Sequence, residues 1–346
     1  MSTWPPPIDI VSRVPSPAGA PSLRWGVLGT GWIAERFVRS AQRHTAQRFV
    51  AVGTRDAERG ASFARAHGIP GVRVGVQALV TDPDVDIVYI ASPHPSHRDH
   101  AMAAIDAGKH MLVEKPLSLN ANQAREVVSA ARRAGVFCAE ALWTFFLPRW
   151  DVVMQLLDSG LIGRRLSVLA EYGEFLPDDH RAMDPALAGG SLLDLGTYPI
   201  ALISLLLSTP TRVEAVGTLN MSGVNAQTGA LVVDDAGAIG VGYTSLASST
   251  PTTAVIAGDA GAIELPGPFY QPGDVVLRTW SDGEVFRFSE PAIAHDGLHF
   301  EAAGVANAVA AGLIEAPQRP LDDTVAFLEL MDSVRDRIGA RFVGEH

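Results

Sequence analysis

The chain opens its ordered pattern with a short apolar run, Leu23 to Leu28, stopped by Gly29-Thr30-Gly31 and followed by helical spacing through Ile33, Phe37 and Ala41. This predicts strand, tight turn, helix. Phe49 to Gly53 reads as a second strand, Asp56 as the N-cap of a helix over Ala57 to His67, and Ile87 to Ala91 as a later buried strand. His97 to Ala107 is helical and closed by Gly108, His110 to Val113 is a strand, Ala121 to Ala134 is a helix ended by Gly135, and Val136 to Ala139 is a strand. Strands and helices that alternate in this way predict a parallel, doubly wound sheet of the Rossmann type, with ligands at the carboxyl ends of its strands.

Near Pro148 the grammar changes. Leu166 to Glu171, Val213 to Leu219, Ala230 to Val233, Ala238 to Tyr243, Thr253 to Ala257 and Val275 to Thr279 read as strands with few helices between them, which predicts a mostly antiparallel open sheet. Helices are expected near Ser191 to Leu207, near Phe300 to Ala311 and over Asp323 to Ile338. The expected class is therefore α/β: a Pro-rich leader (1–22), an N-terminal Rossmann domain (23–143) and a C-terminal α+β domain for substrate and oligomerisation (144–346). No solenoid-type repeat is visible.

A length of 346 residues also suits two domains, and 47% hydrophobic with 19% charged residues supplies ample apolar material for their cores. A net charge of −11 and a pI near 5.3 argue against non-specific binding to nucleic acid or to anionic membrane surfaces. The lone Cys138 can form neither an intrachain disulfide nor a Cys-type zinc site and reads as a buried thiol. The leader lacks the basic and apolar regions of a secretory signal, so the expected location is the cytoplasm. The longest apolar stretch, Ile200 to Leu207, is too short to cross a bilayer.

Gly29-Thr30-Gly31-Trp32-Ile33-Ala34 fits G-x-G-x-x-A, a turn whose glycines let a pyrophosphate approach the helix N-terminus. An acidic residue at the end of the second strand would hold a ribose 2′-hydroxyl. Thr54-Arg55 stands there instead, with Arg59 one turn on, a set suited to the 2′-phosphate of NADP rather than to NAD. Asp56 reads as a helix cap. Ser92, Pro93 and His94 would line the nicotinamide side, while His97 would cap the next helix or pack beneath the cofactor. His94, His97 and His100 are not read as a zinc site, because no fourth ligand is spaced to complete it.

Glu114-Lys115-Pro116 places a lysine at a strand end where a nicotinamide would lie, with a proline that restricts the backbone around it. Farther on, Asp194 and Tyr198 lie four apart in a stretch expected to be one helix, on a shared face. A tyrosine beside a lysine is a suitable proton donor or acceptor for an alcohol and carbonyl couple. On spacing alone, a domain-packing role for Tyr198 and a backbone-bonding role for Asp194 stand equally open.

Together, Gly29 to Ala34, Ser92-Pro93 with His97, Ala107 to His110 leading into Glu114-Lys115-Pro116, and Gly189 to Pro199 resemble the Gfo/Idh/MocA oxidoreductases over nearly the whole chain from Leu23. Tyr198, where many members carry histidine, and Glu140-Ala141-Leu142-Trp143 with Phe146 and Pro148 resemble the branch of dimeric dihydrodiol and NADP-dependent D-xylose dehydrogenases. Phe145 departs from the arginine common in that branch. The resemblance implies hydride transfer at nicotinamide C4, with Tyr198 as general acid/base, Lys115 as its electrostatic partner and Asp194 as an orienting or substrate-binding group. It further implies a sugar, anhydrosugar or cyclic-diol substrate and a homodimer or higher homo-oligomer. Trp143, Phe146, Tyr172 and Arg181 are candidates for the pocket wall. An NAD-dependent dehydrogenase of inositol-like polyols and a non-catalytic dinucleotide sensor on the same fold are the competing readings.

Overall fold

The computed structural model describes residues 8–291 and 293–342, which divide into two compact units. The units are not consecutive stretches of chain. Pro15–Phe146 is joined by Ala294–Leu328, while Leu147–Ile293 is joined by the described residues up to Val14 and from Glu329 onward. The division expected at 143/144 thus differs from the observed one, because a late segment returns to the nucleotide-type unit. The leader is also split, and its residues 1–7 lie outside the described part.

The first unit holds β1 (Arg24–Leu28), α1 (Trp32–His44), β2 (Arg48–Thr54), α2 (Ala57–His67), β3 (Gly71–Val74), α3 (Val76–Val80), β4 (Ile87–Ile90), α4 (His97–Asp106), β5 (His110–Glu114), α5 (Ala121–Ala134) and β6 (Cys138–Ala141). Its six strands are all parallel in the order β3-β2-β1-β4-β5-β6, so the direction of winding reverses between β1 and β4. Local chemistry sets the helix ends. The Asp56 carboxylate accepts from the amides of Glu58 and Arg59, Asn120 accepts from that of Gln123, and Gly68 and Gly135 terminate α2 and α5 in the left-handed conformation. The inner strands β4 and β5 are largely apolar and buried on both faces, as helices on each side require. Burial pushes the Cys138 thiol up to about 12.

The second unit holds α6 (Pro148–Asp158), β7 (Arg165–Gly173), α7 (Ser191–Asp194), α8 (Thr197–Leu206), β8 (Pro210–Leu219), β9 (Asn225–Asp234), β10 (Ile239–Ser245), β11 (Ala254–Gly258), β12 (Gly261–Leu265), β13 (Val275–Thr279) and β14 (Gly283–Phe288). Its eight strands run β14-β13-β12-β11-β7-β10-β9-β8, antiparallel except where β10 lies parallel to β7. Ile200 and Ile203 of α8 lie against Gly240 and Gly242 of β10, covering one face of this sheet. The C-terminal part of the chain adds α9 (His299–Ala310) and α10 (Leu321–Ile338). No helix among the described residues is long and apolar enough to cross a membrane.

One expected element is corrected. Ser191 to Leu207 is two helices rather than one, broken at Leu195-Gly196, so Asp194 ends α7 while Tyr198 opens α8 and their four-residue spacing is not carried on a continuous helix. The break is built around Gly196, where a Cβ would fall 2.6 Å from the Leu192 carbonyl oxygen.

Candidate active site

In the Rossmann unit the two glycines of the first turn do different work. Gly29 has φ +119°, and a Cβ there would sit 2.4 Å from the Ala91 carbonyl oxygen, so the fold itself demands glycine. Gly31 has φ −82° and a Cβ would meet nothing within 4 Å. No group among the described residues excludes a side chain at Gly31, whereas a pyrophosphate approaching the α1 N-terminus would. Ala34, buried in α1, completes the set as the small residue that seats helix on strand. Thr30, Trp32 and Ile33 ride on the same turn.

At the end of β2, Thr54 Oγ1 accepts from the Asp56 amide at 3.2 Å, and Arg55 and Arg59 are exposed. Among the described residues neither guanidinium has a carboxylate partner, in a chain of net charge −11. Arg59 lines a groove of about 720 Å³ between α1 and α2 with Thr30, Arg39, Arg43 and His67. Arg55 is close enough to His100 of α4 for its charge to act on that ring. There burial first, and then the charge of Arg55, hold the His100 imidazole below its ordinary value against the pull of Asp99. Arg55 and Arg59 both follow closely on the end of β2. Asp56 is spent on its two helix-capping bonds.

The ends of β4 and β5 are tied to each other by His97. Its ring nitrogens lie 2.8 Å from the carbonyl oxygens of Pro116 and Ser92, and its side chain is fully buried, so it supports both loops from beneath. Ser92 Oγ is 2.9 Å from His100 Nδ1, and His94 sits buried in the turn that follows Pro93, its ring edge-on to His97. The rings of His94 and His97 thus meet, and His97 and His100 between them contact the Ser92 and Pro116 loops. No group of three metal-ligating side chains is found among the described residues. Glu114 turns inward, accepting from the Tyr89 hydroxyl at 2.5 Å and from the Lys115 amide at 3.2 Å. Lys115 is half-buried and its bond to Pro116 is cis.

Behind this loop is a buried ion pair. Glu140 of β6 accepts from the Arg319 guanidinium at 3.2 Å, from Thr324 Oγ1 at 3.2 Å and from the Leu117 amide at 3.0 Å. Arg319 lies over the faces of Phe145 and Phe327. Trp143 stacks on His295, which meets Trp32 edge-on, so the late segment reaches the dinucleotide turn. Burial, with the charges of Arg36 and Lys115 adding to it, pushes His295 down to about 4. Phe146 packs on Gly304 of α9 and belongs to the core of this unit.

Glu301 of α9 is fully buried and its carboxyl oxygens have no hydrogen-bond partner among the described residues. Burial, and next the neighbouring Glu114, raise it well above the usual carboxylate range. The folded chain therefore keeps this proton while the unfolded chain releases it above pH ~4.5, so the unfolded state binds fewer protons and stability falls as pH rises from there. Glu301→Gln removes that slope. We expect melting temperatures of variant and wild type to be close near pH 4.5 and the variant to melt about 3 °C or more higher at pH 8; a difference independent of pH would contradict the assignment.

In the second unit Asp194 and Arg181 are joined: an Arg181 guanidinium nitrogen donates to Asp194 Oδ1 at 2.6 Å, with the carboxylate almost wholly buried. Tyr198 is 8% exposed and stacks on Tyr270 with ring centroids 4.2 Å apart and planes at 27°. Tyr172 of β7 lies beside both rings, 4.8 Å from Tyr270 and 6.0 Å from Tyr198, so the three form a compact triangle. Tyr270 is carried by the loop between β12 and β13, which the buried Arg149 of α6 holds by donating to the carbonyl oxygens of Pro266, Pro268, Phe269, Gln271 and Asp274. Desolvation pushes Arg149 down to about 10. Burial also raises the Tyr172 and Tyr270 hydroxyls above the ordinary phenol value.

The structure thus joins Arg181 with Asp194 and Tyr172 with Tyr198 in one unit, and the Gly29, Ser92 and Lys115 loops at the carboxyl ends of adjacent strands in the other. Tyr270, Arg149, His295, Glu301 and Arg319 escaped the sequence reading. No motif marks them: Arg149, for example, follows Pro148 in an aromatic stretch and meets its partners only after a separation of 117 to 125 residues.

Comparison with known proteins agrees over both units. The oxidoreductase family with an NAD-binding Rossmann fold matches residues 23–142, and the GFO/IDH/MocA C-terminal domain matches residues 150–264. The trans-1,2-dihydrobenzene-1,2-diol dehydrogenase of Bos taurus is 32% identical over 333 residues, covering 93% of this chain and 98% of the relative. That of Oryctolagus cuniculus is 34% identical over 328 residues, covering 91% and 98%. A 3-ketoreductase from Actinomadura kijaniata, solved with NADP and TDP-benzene, has a TM-score of 0.82 at 27% identity, covering 92% of this chain and 98% of that one. Levoglucosan dehydrogenase, solved with NADH and levoglucosan, shares the fold with a TM-score of 0.84 at 19% identity, covering 94% and 100%. With the dinucleotide turn, the parallel sheet and the open antiparallel sheet all in place, the chain belongs to the Gfo/Idh/MocA family and is an NAD(P)-binding oxidoreductase.

Proposed function

We propose that the protein is an NADP-preferring dehydrogenase or reductase that interconverts a hydroxyl and a carbonyl on a cyclic diol, a sugar or an anhydrosugar. The observation that carries the reading is Tyr198, a nearly buried phenol held by a ring stack, with the ion-paired Asp194 just ahead of it in sequence. The near full-length likeness to diol dehydrogenases supports the substrate class. When bound, the nicotinamide supplies C4 as hydride acceptor or donor. In the oxidative direction Tyr198 Oη takes the substrate hydroxyl proton, and in the reductive direction it returns it. The Lys115 ammonium favours the phenolate through its charge. Asp194, fixed by Arg181, orients the substrate through hydrogen bonds. Gly29, Thr30, Gly31, Trp32 and Ile33 would cradle the pyrophosphate side, with Ser92, Pro93, His94 and the Glu114-Lys115-Pro116 loop, supported by His97, on the nicotinamide side.

Arg55 and Arg59 support NADP over NAD, since two exposed guanidiniums with no carboxylate partner among the described residues follow the end of β2 and the nearby Asp56 is occupied as a cap. We expect Arg55→Ala to weaken NADP+ binding about tenfold or more while leaving NAD+ binding nearly unchanged, read by fluorescence titration. An unaltered preference would remove the 2′-phosphate role.

The same reading includes a homodimer. Leu169, Val241 and Leu231 stand in register across β7, β10 and β9 and are exposed, along with Leu166, Val216 and Ile239. Sedimentation should give twice the chain mass of 36.6 kDa, and a monomer at micromolar concentration would count against it.

A further inference from the structure

We propose that Tyr270 is a positioning residue for Tyr198, acting within a three-tyrosine cluster whose hydroxyl chain is tied off by Glu174. The inference rests on Tyr198 being the general acid/base.

The stack lies wholly within the second unit. Tyr198, Tyr270 and Tyr172 are all nearly buried, and each stacked pair has its planes within 27° of parallel. Such faces hold one another at defined separations and leave a ring little freedom to tilt. Tyr198 is the second residue of α8, immediately after the break at Gly196, so its position is not fixed by a long helix running through it.

The hydroxyls add a direction to the array. Tyr172 donates its one hydrogen to Glu174 Oε2 at 2.9 Å. The 2.9 Å bond between the hydroxyls of Tyr172 and Tyr270 must then be donated by Tyr270, and the Tyr270 oxygen accepts from Gln271 Nε2 at 2.9 Å. The chain therefore runs Gln271 to Tyr270 to Tyr172 to Glu174, from the interior to an exposed carboxylate, and each donation polarises the next. Arg149 fixes the backbone from which Tyr270 projects, including the carbonyl of Gln271 at 2.6 Å. Tyr270 is thus held by its backbone, by its hydroxyl and by its contacts with two neighbouring rings. Such immobility in a residue that touches the general acid/base suits precise placement of the Tyr198 oxygen, since a misplacement of ~1 Å at a reacting group can cost ~100-fold in rate.

The test compares Tyr270→Leu, which removes the ring, with Tyr270→Phe, which keeps the ring and cuts the hydroxyl chain. Turnover of trans-1,2-dihydrobenzene-1,2-diol with NADP+, NADPH affinity, and ring signals of the full-length chain carrying 13C only in its five tyrosines are read together. Tyr270→Leu is expected to lower kcat ~100-fold and to shift the Tyr198 ring signals, with KM and NADPH affinity within about twofold of wild type. Tyr270→Phe is expected to keep kcat within about threefold and leave those signals in place. Unchanged kcat or unmoved Tyr198 signals in Tyr270→Leu, or an equal loss in Tyr270→Phe, would overturn the proposal.

Tyr198→Phe, measured alongside, separates the two claims. Retained turnover there overturns the acid/base reading, whereas lost turnover there with normal turnover in Tyr270→Leu overturns the positioning role alone. If the diol is not turned over by wild type, the ring signals decide the stack by themselves. Should Tyr270→Leu fail to fold, Tyr172→Leu removes a ring and a hydroxyl that hold Tyr270; a loss of about tenfold in kcat with shifts of both the Tyr270 and the Tyr198 signals is expected, and unchanged kcat or unmoved Tyr198 signals would overturn the proposal.

Discussion

Replacing Tyr198 by phenylalanine is expected to lower kcat by ~10²–10⁴-fold, the range that a positioned general acid/base contributes, while NADPH still binds with near wild-type affinity. The substitution removes one oxygen and keeps the ring. The stack on Tyr270 at 4.2 Å survives, α8 keeps its first turn, and no cavity larger than a hydroxyl is opened. Cofactor affinity should be spared because the residues proposed to hold the dinucleotide belong to the other compact unit. Steady-state rates paired with a fluorescence titration of NADPH separate the two quantities. Near-normal turnover would remove Tyr198 from the chemistry, and a large loss of NADPH affinity would mean that the substitution acts through folding or cofactor binding.

The second large effect concerns stability. Arg319→Met should destabilise the chain by roughly 3–5 kcal/mol, because it leaves Glu140 as an uncompensated carboxylate in the interior. Both side chains of the pair are essentially inaccessible to water. Methionine can replace part of the packing that the guanidinium gives to Phe145 and Phe327, but none of its charge. The Leu117 amide and Thr324 hydroxyl that remain on Glu140 are neutral donors and cannot offset burial of the charge. Pairing the change with Glu140→Met should recover much of the loss, since replacing both members by apolar groups is frequently close to neutral. Urea unfolding of the single and double variants measures this. A loss below about 1 kcal/mol in Arg319→Met would mean the pair is hydrated in solution.

The Rossmann half was legible because its signals are local. Asp56, Gly68, Asn120 and Gly135 punctuate helices by side-chain or backbone chemistry confined to a few residues, and α2 and α5 span the expected residues. The open sheet was legible only as a set of strands. Its order depends on pairings such as β7 with β10, which join Val168 to Gly240, 72 positions on, and no local pattern specifies such a partner. Strands β12 and β14 and helix α6 went unread for a related reason: short or mixed segments take their conformation from what they pack against. The helix over Ser191 to Leu207 was read as continuous because its apolar composition hides the break, which depends on how closely Gly196 approaches Leu192.

The candidate site divides along the same line. Gly29, Gly31, Lys115 and Tyr198 stand in short motifs whose residue types carry chemistry. Tyr270, Arg149 and His295 have no such setting, and their roles come from partners far away in sequence: Tyr172 lies 98 residues from Tyr270, and Trp32 meets His295 from the opposite end of the chain. Even where a motif residue was named, its role can differ. His97 joins the Ser92 and Pro116 carbonyls and supports the two loops, a task that no feature of its sequence neighbourhood specifies.

The most direct test of the proposed chemistry follows one hydrogen. Trans-1,2-dihydrobenzene-1,2-diol carrying deuterium on its carbinol carbons is incubated with NADP+ and the enzyme, and the reduced cofactor is examined by mass spectrometry and NMR. Direct hydride transfer predicts one deuterium at nicotinamide C4 for each cofactor reduced, with turnover sharply diminished in Tyr198→Phe. Reduced cofactor without deuterium, or turnover unaffected by Tyr198→Phe, would contradict it.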